Sequence, residues 1–210
     1  MFTPPSDDVF TRGGSDAFEL LKAWAGTTLA YAILIGGGQI LNSFFLIALL
    51  IAGLTCGVGF LLHELGHRVV ARSYGAEAHF VANNPWLLIS IVLAFTGFFI
   101  AAPGAVWHRG YLTPRQSGLI ALAGPAANFA LALLFLAGYY LLPPDLWVIN
   151  NRVSGVQLTM QVGYSINAWL GLFNLIPAGP FDGAKVLAWD WRVFAVAAAT
   201  GVLLAFVIRL

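Results

Sequence analysis

Charge is what this 210-residue chain lacks. Only 9% of its residues are Asp, Glu, Lys or Arg, against 60% hydrophobic, and its mean hydropathy is +0.84. A soluble domain devotes about a quarter of its residues to charge. No Asp, Glu, Lys, Arg or His occurs in 23–62, 80–107, 116–144, 153–181 or 193–208. A membrane helix needs roughly 20 apolar residues, so most of these stretches can cross a bilayer and a soluble fold is excluded. A formal net charge of +1 leaves no basic surface suited to nucleic acid. The single cysteine, Cys56, cannot form an internal disulfide and reads as a small core residue. The opening "MFTPPSDDVFTRGGSD" lacks the basic-then-apolar order of a signal peptide. Residues 1–16 are expected to form a flexible polar arm ahead of a single transmembrane domain, 17–210.

The apolar stretches that remain suggest a polytopic α-helical membrane protein with about five transmembrane helices. "GGGQ" at 36–39 divides the first long run by a turn, giving helices at about 17–35 and 41–73. Others are expected near 116–141, 160–178 and 190–208. The stretch 84–102 is ambiguous: it is long enough to cross, but Pro85 and Pro103 bound it. Short cytoplasmic loops collect Lys and Arg. If 84–102 returns to the side it entered from, Arg12, Arg68, Arg72, Arg109, Arg115, Lys185 and Arg192 share one side, with Arg152 and Arg209 opposite. A full crossing destroys this bias. A re-entrant insertion is therefore expected, with the end of the second helix toward the cytoplasm.

Against this background "HELGH" at 63–67 stands out. Histidines at i and i+4 share one helical face and can grip one zinc ion, while the adjacent Glu64 can serve as base for the attacking water. With 4 His in the chain, the pattern arises by chance in roughly one such sequence in a thousand. A charge at the end of an apolar helix is costly and usually functional. Catalytic zinc commonly takes three protein ligands, and Asp182 is the best third candidate. It stands in "NLIPAGPFDGAKVL", where prolines and glycines break regular helix next to an apolar span. Its alternative role is a helix cap at the interface. Ligation requires an even number of crossings between His67 and Asp182, which agrees with a re-entrant 84–102.

"HELGH", "GPAAN" at 124–128 and "NLIPAGPFDG" at 174–183 together resemble the site-2 protease family of intramembrane zinc metalloproteases. The resemblance covers about 42–187. It implies that His63, His67 and Asp182 bind zinc and that Glu64 activates water. It further implies that Asn174, and less directly Asn128, contact the substrate or the oxyanion, the alternative for each being an amide bonded across helices to stay satisfied in lipid, and that the chain after the zinc helix forms a sheet. "AEAHFVA" at 76–82 and "PGAVWHRG" at 103–110 look like its strands, as a β-hairpin flanking 84–102. His79 and His108 read as interfacial histidines. The expected substrates are single-span membrane proteins in the cell membrane, cut by regulated intramembrane proteolysis. The competing reading is a zinc-binding membrane protein without protease activity, either a carrier or an inactive homologue. A carrier would be expected to show further ligands along a path, and an inactive homologue would commonly lose Glu64.

Overall fold

The computed structural model describes residues 16–100, 104–149, 153–208 and 210. The expected arm, apart from Asp16, lies outside these residues, as do Arg12, Pro103, Arg152 and Arg209. The chain is mostly helical: α1 (Asp16–Ile35), α2 (Phe44–Ser73), β1 (Glu77–Ala82), α3 (Asn84–Ala94), β2 (Gly104–Arg109), α4 (Pro114–Leu141), α5 (Gly155–Asn174), α6 (Asp182–Trp189) and α7 (Trp191–Val207). A two-residue strand pair, Val148–Ile149 with Val153–Ser154, precedes α5.

Among the described residues, α1, α2 and α4 are long and apolar enough to cross a membrane. The expected count of five is not reached by that measure. α7 is a shorter apolar helix. α5 has 20 residues but carries Gln157, Gln161, Asn167 and Asn174, amides that lower its hydropathy. The 30 residues of α2 would extend about 45 Å at 1.5 Å per residue, beyond a hydrocarbon core of roughly 30 Å. Its last turns carry Arg68 and Arg72, so the charge falls where the helix outruns the apolar layer. On the opposite half, Leu46, Leu50 and Leu54 form an exposed stripe at i, i+4 and i+8, suited to lipid.

Small residues let the helices approach. Tyr31, Ala32, Ala48, Ala52, Cys56, Ile166 and Leu170 pack α1, α2 and α5 together. Phe129, Ala132, Tyr164, Ala168 and Leu204 join α4, α5 and α7. Without a hydrophobic drive between helices in lipid, such close van der Waals contact carries the association. A short π-helical segment, Gly53–Gly57, interrupts α2. Two of its carbonyls accept from neighbouring helices as well as from the Val58 N–H: Trp24 Nε1 of α1 donates to Gly53 O at 3.3 Å, and Asn167 Nδ2 of α5 to Thr55 O at 3.4 Å.

β1 and β2 pair antiparallel, from Glu77↔Arg109 to Ala82↔Gly104, close to the strands expected from 76–82 and 103–110. Between them the chain forms α3, whose cap is Asn83, accepting from Trp86 N–H at 3.2 Å. Past Gly97, which takes a φ of 85°, it runs back along the helix, and Ser90 Oγ donates to Ile100 O at 2.6 Å. Leu87 of α3 lies where a Cβ on Gly26 of α1 would sit, at 2.7 Å. The first half of 84–102 is thus helical, a conformation that composition alone left open.

Where α2 ends, Asp16 at the start of α1 ties three elements. Its Oδ2 lies 2.7 Å from Arg68 and 3.5 Å from Arg72, and its Oδ1 lies 3.0 Å from His79 Nδ1 on β1. Glu19, one turn on, accepts from Ala82 N–H at 3.1 Å.

Candidate metal centre

α2 and α4 run antiparallel here, and their periodicities match. His63 and His67 stand four residues apart on α2, facing Ile120, Gly124 and Asn128, also four apart, on α4. His67 Nδ1 lies 2.7 Å from Ile120 O, and His63 Nδ1 lies 2.7 Å from Asn128 Oδ1. Both partners are oxygen acceptors, so each Nδ1 carries the proton and donates it. Each Nε2 is left with a lone pair. Those two Nε2 atoms are 3.0 Å apart, and Asp182 Oδ2 from the first turn of α6 lies 3.3 Å from His63 Nε2 and 3.1 Å from His67 Nε2.

Three potential electron-pair donors, all on buried residues, thus converge on one point, and together they could hold a metal ion. Zinc bonds of about 2.0–2.2 Å at tetrahedral angles put neighbouring ligand atoms about 3.3 Å apart, which fits the observed triangle. Room for the ion comes from Gly124: a Cβ there would stand 2.6 Å from His63 Nε2 and 2.5 Å from His67 Nε2. Among the described residues, His63, His67 and Asp182 are the one cluster with metal-ligand spacing.

The remaining acids have other partners or positions. Asp16 pairs with Arg68, Glu77 with Arg109 at 3.0 Å, and Asp190 caps α7 by accepting from Arg192 N–H at 2.7 Å. Glu64 is buried beside the triad, with the Val106 backbone of β2 close to its carboxyl. It opens on a cavity of about 760 Å³ whose walls include Phe60, Trp86, Trp107, Phe173 and Phe181. Asn174, His108 and Lys185 also line it. Burial, with smaller contributions from Lys185 and His67, holds the His108 pKa below its usual value, which favours a neutral ring at neutral pH. Lys185 Nζ lies 3.9 Å from Asp182 Oδ1.

The two asparagines differ. Asn174 is half-buried and uses one amide hydrogen on Leu170 O at 2.9 Å, leaving a second for the cavity. Asn128 is fully buried. Both its hydrogens are committed, to Gly59 O at 3.1 Å and Asn167 Oδ1 at 3.0 Å, and its oxygen to His63. Its amide hydrogens are thus engaged across helices, although the residue also lines the cavity. Asn167, absent from the sequence reading, is as deeply buried; its signal was an amide inside an uncharged span. His79 is at the Asp16 cluster, and His108 is a cavity wall rather than a member of the triad.

Residues 44–151 match the family model described as Peptidase family M50. The chain is 39% identical over 156 residues to MJ0611 of Methanocaldococcus jannaschii, a protein named as a zinc metalloprotease, covering 73% of this chain and 78% of that one. YwhC of Bacillus subtilis, so named too, is 30% identical over 149 residues, with 64% and 66% covered. The zinc metalloprotease MJ0392 of M. jannaschii is 29% identical over 161 residues; 77% of this chain matches 40% of that longer one. No solved structure matches. The motifs, the apolar helices, a donor triad fit for zinc and these relatives agree: the chain belongs to peptidase family M50, the site-2 protease family of zinc metalloproteases.

Proposed function

We propose that the chain is an intramembrane zinc metalloendopeptidase that hydrolyses peptide bonds in the membrane segments of anchored, single-span proteins, as in regulated intramembrane proteolysis. The observation that carries this reading is the convergence of His63 Nε2, His67 Nε2 and Asp182 Oδ2 beside Glu64, at the head of an apolar cavity. Residues 17–210 act as one catalytic domain. It sits in the cell membrane with about five crossings, α5 and α7 included, and the site toward the cytoplasm. The excursion through α3 is re-entrant, which the pairing of β1 with β2 at its base supports.

In this reading His63, His67 and Asp182 hold the metal. When bound, zinc polarises the scissile carbonyl and acidifies the attacking water. Glu64 takes a proton from that water on its carboxylate and passes it to the leaving amide nitrogen. The second amide hydrogen of Asn174 reaches the carbonyl oxygen as negative charge builds there. A helical substrate hides its carbonyls, so it has to be drawn out. The edge of β2 at Gly104–His108, which lines the cavity, offers backbone groups for an added strand. Phe60, Trp107 and Phe173 keep bulk lipid and water from the cut.

The test is cleavage of a single-span membrane substrate by purified protein in detergent or vesicles. Wild type should cut it, and Glu64→Gln should bind zinc normally yet leave the substrate intact. A Glu64→Gln variant that cuts at the wild-type rate would end this assignment.

A further inference from the structure

Behind His63 lies a chain of buried amides. Asn167 on α5 is fully buried. Its Nδ2 donates to Gly163 O at 2.9 Å and to Thr55 O at 3.4 Å, two oxygens that can only accept. Its Oδ1 therefore faces the other way, toward Asn128 Nδ2 at 3.0 Å. Asn128 is turned by the same logic. With its amide hydrogens drawn to Asn167 Oδ1 and Gly59 O, its Oδ1 can only face His63 Nδ1, at 2.7 Å. The backbone makes room for this contact: a Cβ on Gly59 would overlap the Asn167 amide. Thr55 lies in the π-helical segment of α2, and its O also accepts from the Val58 N–H. The distortion in the zinc helix and the orientation of its first histidine are thus joined through two side chains on other helices.

We infer that Asn167 is a positioning residue for the metal centre, acting through Asn128 to keep the His63 proton on Nδ1 and the Nε2 lone pair on the metal. An amide presents an acceptor at one end and donors at the other. If Asn128 turned over, an N–H would face His63 Nδ1. The ring would then have to move its proton to Nε2 and could no longer ligate. Asn167 and Gly59 O oppose that rotation, and Asn167 supplies one of the two acceptors that do so. A carboxylate is a frequent partner of a ligating histidine. An amide pair holds the ring without placing a charge in the middle of a helix bundle, where charge is costly.

This inference rests on the zinc reading above, and the experiment separates the two. Zinc affinity of the purified full chain is measured by competition with a chelator, for wild type, Asn167→Leu, Asn128→Leu, the double variant and Asn167→Asp. Wild type binds zinc. Asn167→Leu weakens it by about tenfold, within the loss typical for partners of metal-ligating histidines. The double variant is no weaker than Asn128→Leu alone, because both substitutions act through one bond. Asn167→Asp keeps zinc, since a buried, protonated carboxyl retains both the acceptor for Asn128 and a donor for Gly163 O. If Asn167→Leu does not fold, Asn167→Thr poses the same question: its hydroxyl reaches back to Gly163 O but is too short for Asn128, and the same loss is expected. Failure of wild type to bind zinc would overturn the metal reading itself. A wild type that binds zinc, with Asn167→Leu or Asn167→Thr binding equally well, would overturn the relay alone. Losses that multiply in the double variant, or an Asn167→Asp as weak as Asn167→Leu, would also overturn it.

Discussion

Two polar clusters sit one helical turn apart on α2, and they solve opposite problems. Around Arg68, the Asp16 carboxylate meets a guanidinium at 2.7 Å and an imidazole at 3.0 Å. Donors face acceptors around the carboxylate, although the buried Arg68 Nε has no hydrogen-bond partner among the described residues. Around His63 and His67, three acceptors face one another at 3.0–3.3 Å, with their protons turned outward to Asn128 Oδ1 and Ile120 O. That cluster could hold a metal ion. The first is an architectural clamp that fastens α1 and β1 to the end of the zinc helix. The second is a candidate metal site, and proton direction rather than residue type tells them apart.

Breaking the second cluster should have the largest effect. Asp182→Ala removes one of three ligands, and zinc content should fall from about one per chain to a small fraction of that, read by elemental analysis of purified protein. Glu64→Gln should keep the metal while lowering substrate cleavage by about 10²-fold or more, a split that Asp182→Ala does not show. Gly124→Ala sharpens the comparison without touching a ligand. Its methyl would sit within 2.6 Å of both Nε2 atoms, and zinc affinity should drop by about tenfold or more, comparable to losing a supporting contact.

The clamp should respond in a different currency. Asp16→Ala leaves the largely buried Arg68 side chain without its carboxylate, which should cost roughly 2–3 kcal/mol of stability. Zinc bound per folded chain should be unchanged, as measured by thermal unfolding alongside metal content. The smallest effect is expected from Glu77→Gln. Its bridge to Arg109 joins two side chains more than half exposed, so the change should stay below about 0.5 kcal/mol.

What the sequence made legible follows the distance over which each signal acts. HELGH carries its geometry within one helical turn, so the two histidines and Glu64 could be located without a fold. Asp182 needed only an acid inventory and a count of crossings. GPAAN has its own i, i+4 spacing, but its match to the histidine spacing becomes visible only when α4 lies antiparallel to α2. Gly124 then reads as the space for an ion, and Asn128 as the partner of His63. Asn167 belongs to no motif; its contacts with Asn128 and Thr55 exist only once α5 packs against α4 and α2, which no local pattern announces. Asn167, with Gln157, Gln161 and Asn174, also makes α5 read as less apolar.

The most direct test of the central claim, that three facing acceptors on α2 and α6 hold a metal, is zinc content compared between wild type, Asp182→Ala and Asp16→Ala. The account predicts about one zinc per chain in wild type and in folded Asp16→Ala, and a small fraction in Asp182→Ala. Full zinc binding by Asp182→Ala would contradict it.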